Sequence, residues 1–202
     1  MTRERIIAGA SAIFRRSGIH GVSVADLMAN AGLTHGGFYA HFASRDELVS
    51  EAIRFALVQS AQRIYLSALK SGDRPGYSKL IRRYLTREHR DNPQHGCVLA
   101  SLGVEVARDG GDARAVFSEG FEELIALLAK LSPERSPRAR RAHVLSVISA
   151  LTGALSLARA VEGERMSQDI LSSVRTTLLA EEKRRQTESA RRRNARQTGR
   201  RG

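Results

Sequence analysis

Between Thr34 and Arg45 the chain sets hydrogen-bonding side chains closely around two glycines, reading Thr34-His35-Gly36-Gly37-Phe38-Tyr39-Ala40-His41-Phe42 and then Ser44-Arg45. A hydroxyl, two imidazoles, a phenol and a guanidinium are groups that meet phosphate oxygens and base edges. No carboxylate interrupts them before Asp46. The chemistry they suit is recognition of a polyanion rather than bond cleavage.

Catalytic and metal-binding patterns are missing elsewhere. There is no His-Glu-x-x-His, no Gly-x-Ser-x-Gly and no second cysteine for a zinc site. His89-Arg90-Asp91-Asn92 imitates a kinase triplet, but Gly96 stands where the later asparagine is needed and no glycine-rich phosphate loop precedes it. It reads as a helix end and turn. We therefore expect no enzyme activity, no catalytic residue, no metal site and no cofactor. Cys97, the only thiol, follows Pro93-Gln94-His95-Gly96 at the start of an apolar stretch. A thiol near a helix N-terminus and a histidine can react with electrophiles; a free cysteine is also a common small core residue.

Ser23 with Asp26, and Ser44 with Glu47, read as capping boxes, each opening a helix. Ala31-Gly32-Leu33 is a turn in which Gly32 takes a positive φ and Leu33 points inward. Thr34 can cap a very short helix from His35 to Phe42, in which each glycine costs roughly 1 kcal/mol relative to alanine. Such a helix forms only by docking, with Phe38 and Phe42 as anchors. Gly36 and Ala40 then fall on the opposite side, flanked by Gly37 and Tyr39, so the outer face is nearly bare backbone. A first helix over Thr2–Ser17, stopped by Gly18, completes a three-helix unit over Phe14, Leu27, Leu33, Phe38 and Phe42.

Composition frames this reading. The chain has 202 residues, 42% of them apolar, and a net charge of +12. Residues 183–202 hold nine basic side chains against Glu188, so eight of the twelve net charges lie in the tail and only +4 in residues 1–182. A single cysteine excludes an internal disulfide and suits a reducing compartment. No apolar run approaches a membrane span, and the N-terminus lacks a signal-peptide core. These features predict a soluble cytoplasmic protein.

Taken together, the first capping box, Leu27-Met28-Ala29-Asn30-Ala31-Gly32-Leu33, Phe38-Tyr39-Ala40-His41-Phe42 and Ser44-Arg45-Asp46-Glu47-Leu48 resemble the N-terminal DNA-binding domain of the tetracycline-repressor (TetR) family of bacterial transcription regulators. The resemblance covers roughly the first quarter of the chain. It implies that Tyr39, His41 and Arg45 contact backbone phosphates, that Thr34, His35, Gly36 and Gly37 lie nearest the bases, and that Ser23 joins this DNA-facing set. Ala25 stands where other members place a long polar side chain to read a base.

A long helix is predicted from Arg45 to about Leu69, ended by Ser71-Gly72-Asp73-Arg74-Pro75-Gly76. Helical stretches follow over Tyr77–Arg90, Cys97–Ala107, Ala113–Leu131, His143–Val161 and Ser167–Lys183, with no period-two strand pattern. The resemblance implies that the last two helices form a four-helix dimer interface with a second copy. Tyr84, Cys97, Phe117 and Phe121 suit an apolar effector pocket, or equally a plain core.

The expected fold is therefore all-α: an N-terminal helix-turn-helix domain over residues 1–46, a helical-bundle effector and dimerisation domain over residues 47–182, and a basic, disordered tail over residues 183–202. The expected function is a homodimeric regulator that represses from a double-stranded DNA operator and is released by a small-molecule effector, with no membrane partner. The alternative is a helical protein that binds nucleic acid without sequence preference through its arginine tail.

Overall fold

The computed structural model describes residues 2–66 and 77–198, and among them every regular element is helical. In chain order these are α1 (Thr2–Ser17), α2 (Val24–Asn30), a 3-10 helix (His35–Ala40), α3 (Arg45–Ser60) continued by a π-helical turn (Ala61–Leu66), α4 (Tyr77–Tyr84), α5 (Arg87–Asp91), a second 3-10 turn (Pro93–His95), α6 (Val98–Asp109), α7 (Gly111–Ala129), α8 (Pro137–Ala160) and α9 (Glu164–Thr198). They group into two compact units, Met1–Ser67 with Arg87–Leu124, and Ala68–Thr86 with Ile125–Gly202.

In the first unit, α1 buries Ile6, Ile7, Ala10 and Phe14 against α3, whose own stripe is Leu48, Val49, Ala52, Ile53 and Ala56. The three- and four-residue spacing of both stripes is what makes these segments helices that pack side by side. Gly18 takes a φ of +82° and its amide donates to the Phe14 carbonyl at 2.8 Å, which stops α1 where the sequence predicts. Further along, α7 crosses α3 at Gly120. A Cβ there would lie 2.6 Å from Leu57 Cδ1, so any larger residue would require Leu57 to move.

The expected continuous helix from Arg45 holds its α-helical form to Ser60, where the hydrogen-bond pattern widens into the π-turn. The stop predicted over Ser71–Gly76 lies outside the described residues. Tyr77–Arg90, expected as one helix, is interrupted at Leu85-Thr86. At this break Arg175 Nη1 donates to the Leu85 carbonyl at 3.3 Å.

In the second unit, α8 packs Val144, Val147, Ile148, Leu151 and Leu155 against α9, which supplies Leu171 and Leu178. By length and composition α8 is apolar enough to cross a membrane, contrary to the expectation that no run would be. Its apolar stripe is taken up by α9 rather than left for lipid. Between the two helices His143 Nε2 lies 2.6 Å from Glu182 Oε1, both residues being under 5% exposed. Ser132 Oγ sits 2.9 Å from His143 Nδ1, and the Tyr77 ring lies 4.7 Å from the imidazole. Tyr77 donates its hydroxyl to the Leu128 carbonyl at 2.7 Å, and burial raises its pKa far above the ordinary phenol value, Glu182 adding to the effect. Helix α9 runs on to Thr198, through most of the segment expected to be a disordered tail.

Candidate nucleic-acid interface

Ser23 and Asp26 form both arms of the expected capping box. The Asp26 amide donates to Ser23 Oγ at 3.2 Å and the Ser23 amide donates to Asp26 Oδ2 at 3.2 Å. The Ser23 hydroxyl also donates to Oδ2 at 2.6 Å. These bonds hold the Asp26 carboxyl below the ordinary aspartate range, the hydroxyl contributing most. At the other end of α2, the Gly32 amide donates to the Ala29 carbonyl and the Leu33 amide to the Met28 carbonyl, both at 2.9 Å, with Gly32 at φ +69°. This is a Schellman turn, and it requires glycine at that position.

The segment that follows is a 3-10 helix over His35–Ala40, shorter and tighter than the helix expected over His35–Phe42. Two adjacent glycines weaken the α-helical alternative, and the Phe38 and Phe42 anchors fix the chain from one side only. Thr34 caps with its carbonyl, which accepts the Gly37 amide at 3.1 Å; its hydroxyl makes no capping bond, contrary to expectation. The hydroxyl is thereby left on the exposed rim. Phe38 and Phe42 are buried to 1% and 2% exposure with ring centroids 5.4 Å apart. Tyr39 stands edge-on to Phe38, 71% exposed. Leu33 is half-buried rather than fully inward.

Gly36 and Ala40 are exposed, as the period predicts. A Cβ on Gly36 would meet nothing within 4 Å, and one on Gly37 would touch Met28 and Thr34 only at 3.7 and 3.8 Å. Neither glycine has a positive φ. Nothing inside the chain therefore calls for glycine at these two positions. Thr34, His35, Gly36 and Tyr39 share one exposed surface, with Gly37 and His41 half-buried at its edge.

The mounting of this surface involves residues that sequence reasoning did not single out. Arg3 of α1 stacks its guanidinium 4.8 Å from the Phe42 ring centroid, donates Nε to the His41 carbonyl at 3.3 Å, and pairs with Glu47 at 3.0 Å and Glu51 at 3.5 Å. Glu47 is also the return arm of the second cap, but it accepts from the Ala43 amide at 2.7 Å rather than from Ser44. The Ala43 amide first, then Arg3, hold the Glu47 carboxyl below the ordinary range. Arg45 donates Nη2 to the carbonyls of Ile19 and Val22, bracing the turn between α1 and α2. That turn is held from the other side by α6, where Glu105 Oε2 accepts the Ile19 amide at 2.5 Å and Asp109 Oδ1 lies 2.7 Å from His20 Nε2.

Arg15 lies beneath, 3% exposed, donating to the carbonyls of Ser11 and Gly96 and to Gln59 Oε1. Burial lowers its pKa to about 10; Arg63 adds to the effect and Cys97 opposes it. Spacing along the chain gives no signal for the long-range bonds of Arg3, Arg15 and Glu105, which reach 38, 81 and 86 residues away.

The candidate pocket residues are not one cluster. Tyr84 is fully buried in the second unit, whereas Cys97, Phe117 and Phe121 belong to the first. Cys97 is 0% exposed at the N-cap of α6, its amide donating to His89 Nε2 at 3.0 Å. Phe117 and Phe121 are half-buried, Phe117 packing over Gly103.

Similar sequences and structures are known. The profile of the bacterial regulatory proteins, tetR family, matches residues 6–52. An uncharacterised helix-turn-helix transcriptional regulator of Mycobacterium tuberculosis is 28% identical over 188 residues, covering 89% of this chain and 95% of its own. The transcriptional repressor NemR of Escherichia coli is 26% identical over 136 residues, 64% of this chain and 66% of its own. A crystal structure of a TetR transcriptional regulator from Chloroflexus aurantiacus superposes with a TM-score of 0.68 at 25% identity, covering 87% of this chain and 92% of that one.

Proposed function

We propose that the chain is a DNA-binding transcriptional regulator of the TetR family, a reading supported by the profile match over residues 6–52 and by the similar regulators, and that it acts as a cytoplasmic homodimeric repressor released from its operator by a small molecule. The observation that carries the reading is the bare face at Gly36 and Gly37, where glycine serves no internal need and a second surface can come close. Thr34 and His35 offer donors to base edges beside it. Tyr39 and His41 reach backbone phosphates. Arg45 has a bracing role as well, and Ser23 acts mainly through its cap.

Residues 1–46 serve as the reader and residues 47–182 as the effector and dimerisation domain. In a twofold dimer the two readers sit in successive major grooves, roughly 34 Å apart. A ligand acts by preferring the spacing that does not fit DNA, and its effect is limited to that preference. The half-buried Phe117 and Phe121 of α7 suit its apolar contact, since Gly120 links that helix directly to α3. The joining of α8 and α9 into a four-helix interface supplies the dimer.

Selection of fragments from a genomic DNA pool, followed by sedimentation of the free protein and its complex, tests the reader and the dimer. A dimer that enriches one inverted repeat with half-sites one helical turn apart is the expected result. Enrichment of no sequence, or binding as a monomer, contradicts it.

A further inference from the structure

The cations of the DNA-facing unit are largely committed internally: Arg3 to Glu47, Glu51 and the Phe42 ring, Arg15 to buried carbonyls, and Arg45 to Ile19 and Val22. Most of the chain's basic side chains lie in the second unit instead, thirteen of them in two runs far apart in sequence. One is Arg135, Arg138, Arg140 and Arg141; the other begins at Lys183 and carries nine basic residues against Glu188. The fold brings them together. Pro133–Ser136 and Ala139 share a cleft of about 450 Å³ with Arg184, Arg185, Glu188 and Ser189 of α9.

Charge in this cleft is only partly balanced. Arg185 is held by Glu134 and Glu181, each at 2.7 Å. Arg184 is 69% exposed and reaches Glu181 only at 4.0 Å, while Arg135, Arg138, Lys183 and Arg191 are exposed. The first turn of α8 carries Arg138 and no acidic residue, with Arg140 and Arg141 directly behind. Cations at a helix N-terminus oppose the helix dipole, so this arrangement weakens the helix it sits on. Sequences keep such local conflicts mainly where another surface gains from them. Beyond Glu188 the sequence carries no further acid, and α9 remains helical to Thr198, so Arg191, Arg192, Arg193 and Arg196 are spaced along a helix.

We propose that this end of the second unit, built from the start of α8 and the C-terminal part of α9, is a second phosphate-binding surface that takes the backbone of duplex DNA without regard to sequence. The inference rests on the DNA-binding reading above but not on the glycine face. The helix-turn-helix supplies sequence preference, and this surface supplies the counterion-release part of affinity.

The test uses the full chain and a labelled duplex of random sequence, with affinity measured by anisotropy across KCl concentrations. Two variants are compared with wild type. In one, Arg191, Arg192, Arg193 and Arg196 are changed to Gln; in the other, Arg135, Arg138 and Arg184 are changed to Gln. Each phosphate that the variant no longer neutralises makes the log–log salt slope shallower by about 0.9. The expected result is a slope shallower by about 2 or more in both variants and a loss of at least about tenfold in low-salt affinity. Gly37→Glu, with the basic surface intact, keeps the wild-type slope on random duplex while losing selected sequences, so the two readings fail separately. Slopes and affinities within about twofold of wild type in both variants overturn the proposal. So does a loss of binding to phosphatidylserine vesicles with duplex binding unchanged.

Discussion

The Glu105 carboxylate accepts the Ile19 backbone amide at 2.5 Å, so a side chain of α6 fixes the turn between α1 and α2. Arg45 grips the carbonyl of the same residue from the start of α3. The turn that sets the angle of α2, and through it the glycine face, is thus held by two elements on opposite sides. Glu105→Ala leaves the Ile19 amide unsatisfied and is expected to cost about 1–3 kcal/mol in urea unfolding, with weaker operator binding. Glu105→Gln retains an acceptor and keeps most of both. Equal behaviour of the two variants contradicts the role given to this bond.

The caps predict an acid limit. Asp26 and Glu47 both have carboxyls held below their ordinary values, Asp26 mainly by the Ser23 hydroxyl and Glu47 mainly by the Ala43 amide. A depressed folded pKa stabilises the protein above the unfolded value, and that contribution is lost as pH falls through the folded one. Melting temperature should therefore fall below about pH 4, the ordinary carboxylate range. Asp26→Asn and Glu47→Gln should each start lower at neutral pH and fall less steeply. Parallel pH profiles for wild type and both variants contradict this.

Much of the interface is legible in the sequence because it is governed by short-range rules. Ser23 and Asp26, Gly32 with its positive φ, and the Phe38–Phe42 anchors follow from spacings of six residues or fewer, and the structure has all of them. The mounting by Arg3, Arg15 and Glu105 was not legible. Each contact depends on a side chain meeting backbone atoms or a ring across the fold, which periodicity does not encode. Charge ran the same way: the sequence locates two basic runs, and only the packing of Pro133–Ser136 beside Arg184 joins them.

In the second unit, His143 and Glu182 form a buried pair whose remaining carboxylate oxygen, Oε2, has no hydrogen-bond partner among the described residues. Removing one member strands the other. His143→Leu alone should cost about 3–5 kcal/mol, whereas His143→Leu with Glu182→Met should recover much of that loss. A double-mutant cycle in denaturant measures the coupling. Additive losses contradict the pairing.

The face at Gly36 and Gly37 is proposed as the surface that reads DNA. A glutamate at position 37 has room to fold, since its Cβ meets Met28 and Thr34 only at ordinary contact distance, but it puts a carboxylate where phosphates and base edges must approach. The deciding measurement is affinity for the genomic sequence that wild type selects, at about 150 mM salt, made on Gly37→Glu shown by sedimentation to have the wild-type mass. Operator binding is expected to be abolished while assembly and helical content are unchanged. Wild-type affinity in that variant would show that this face is not the reader.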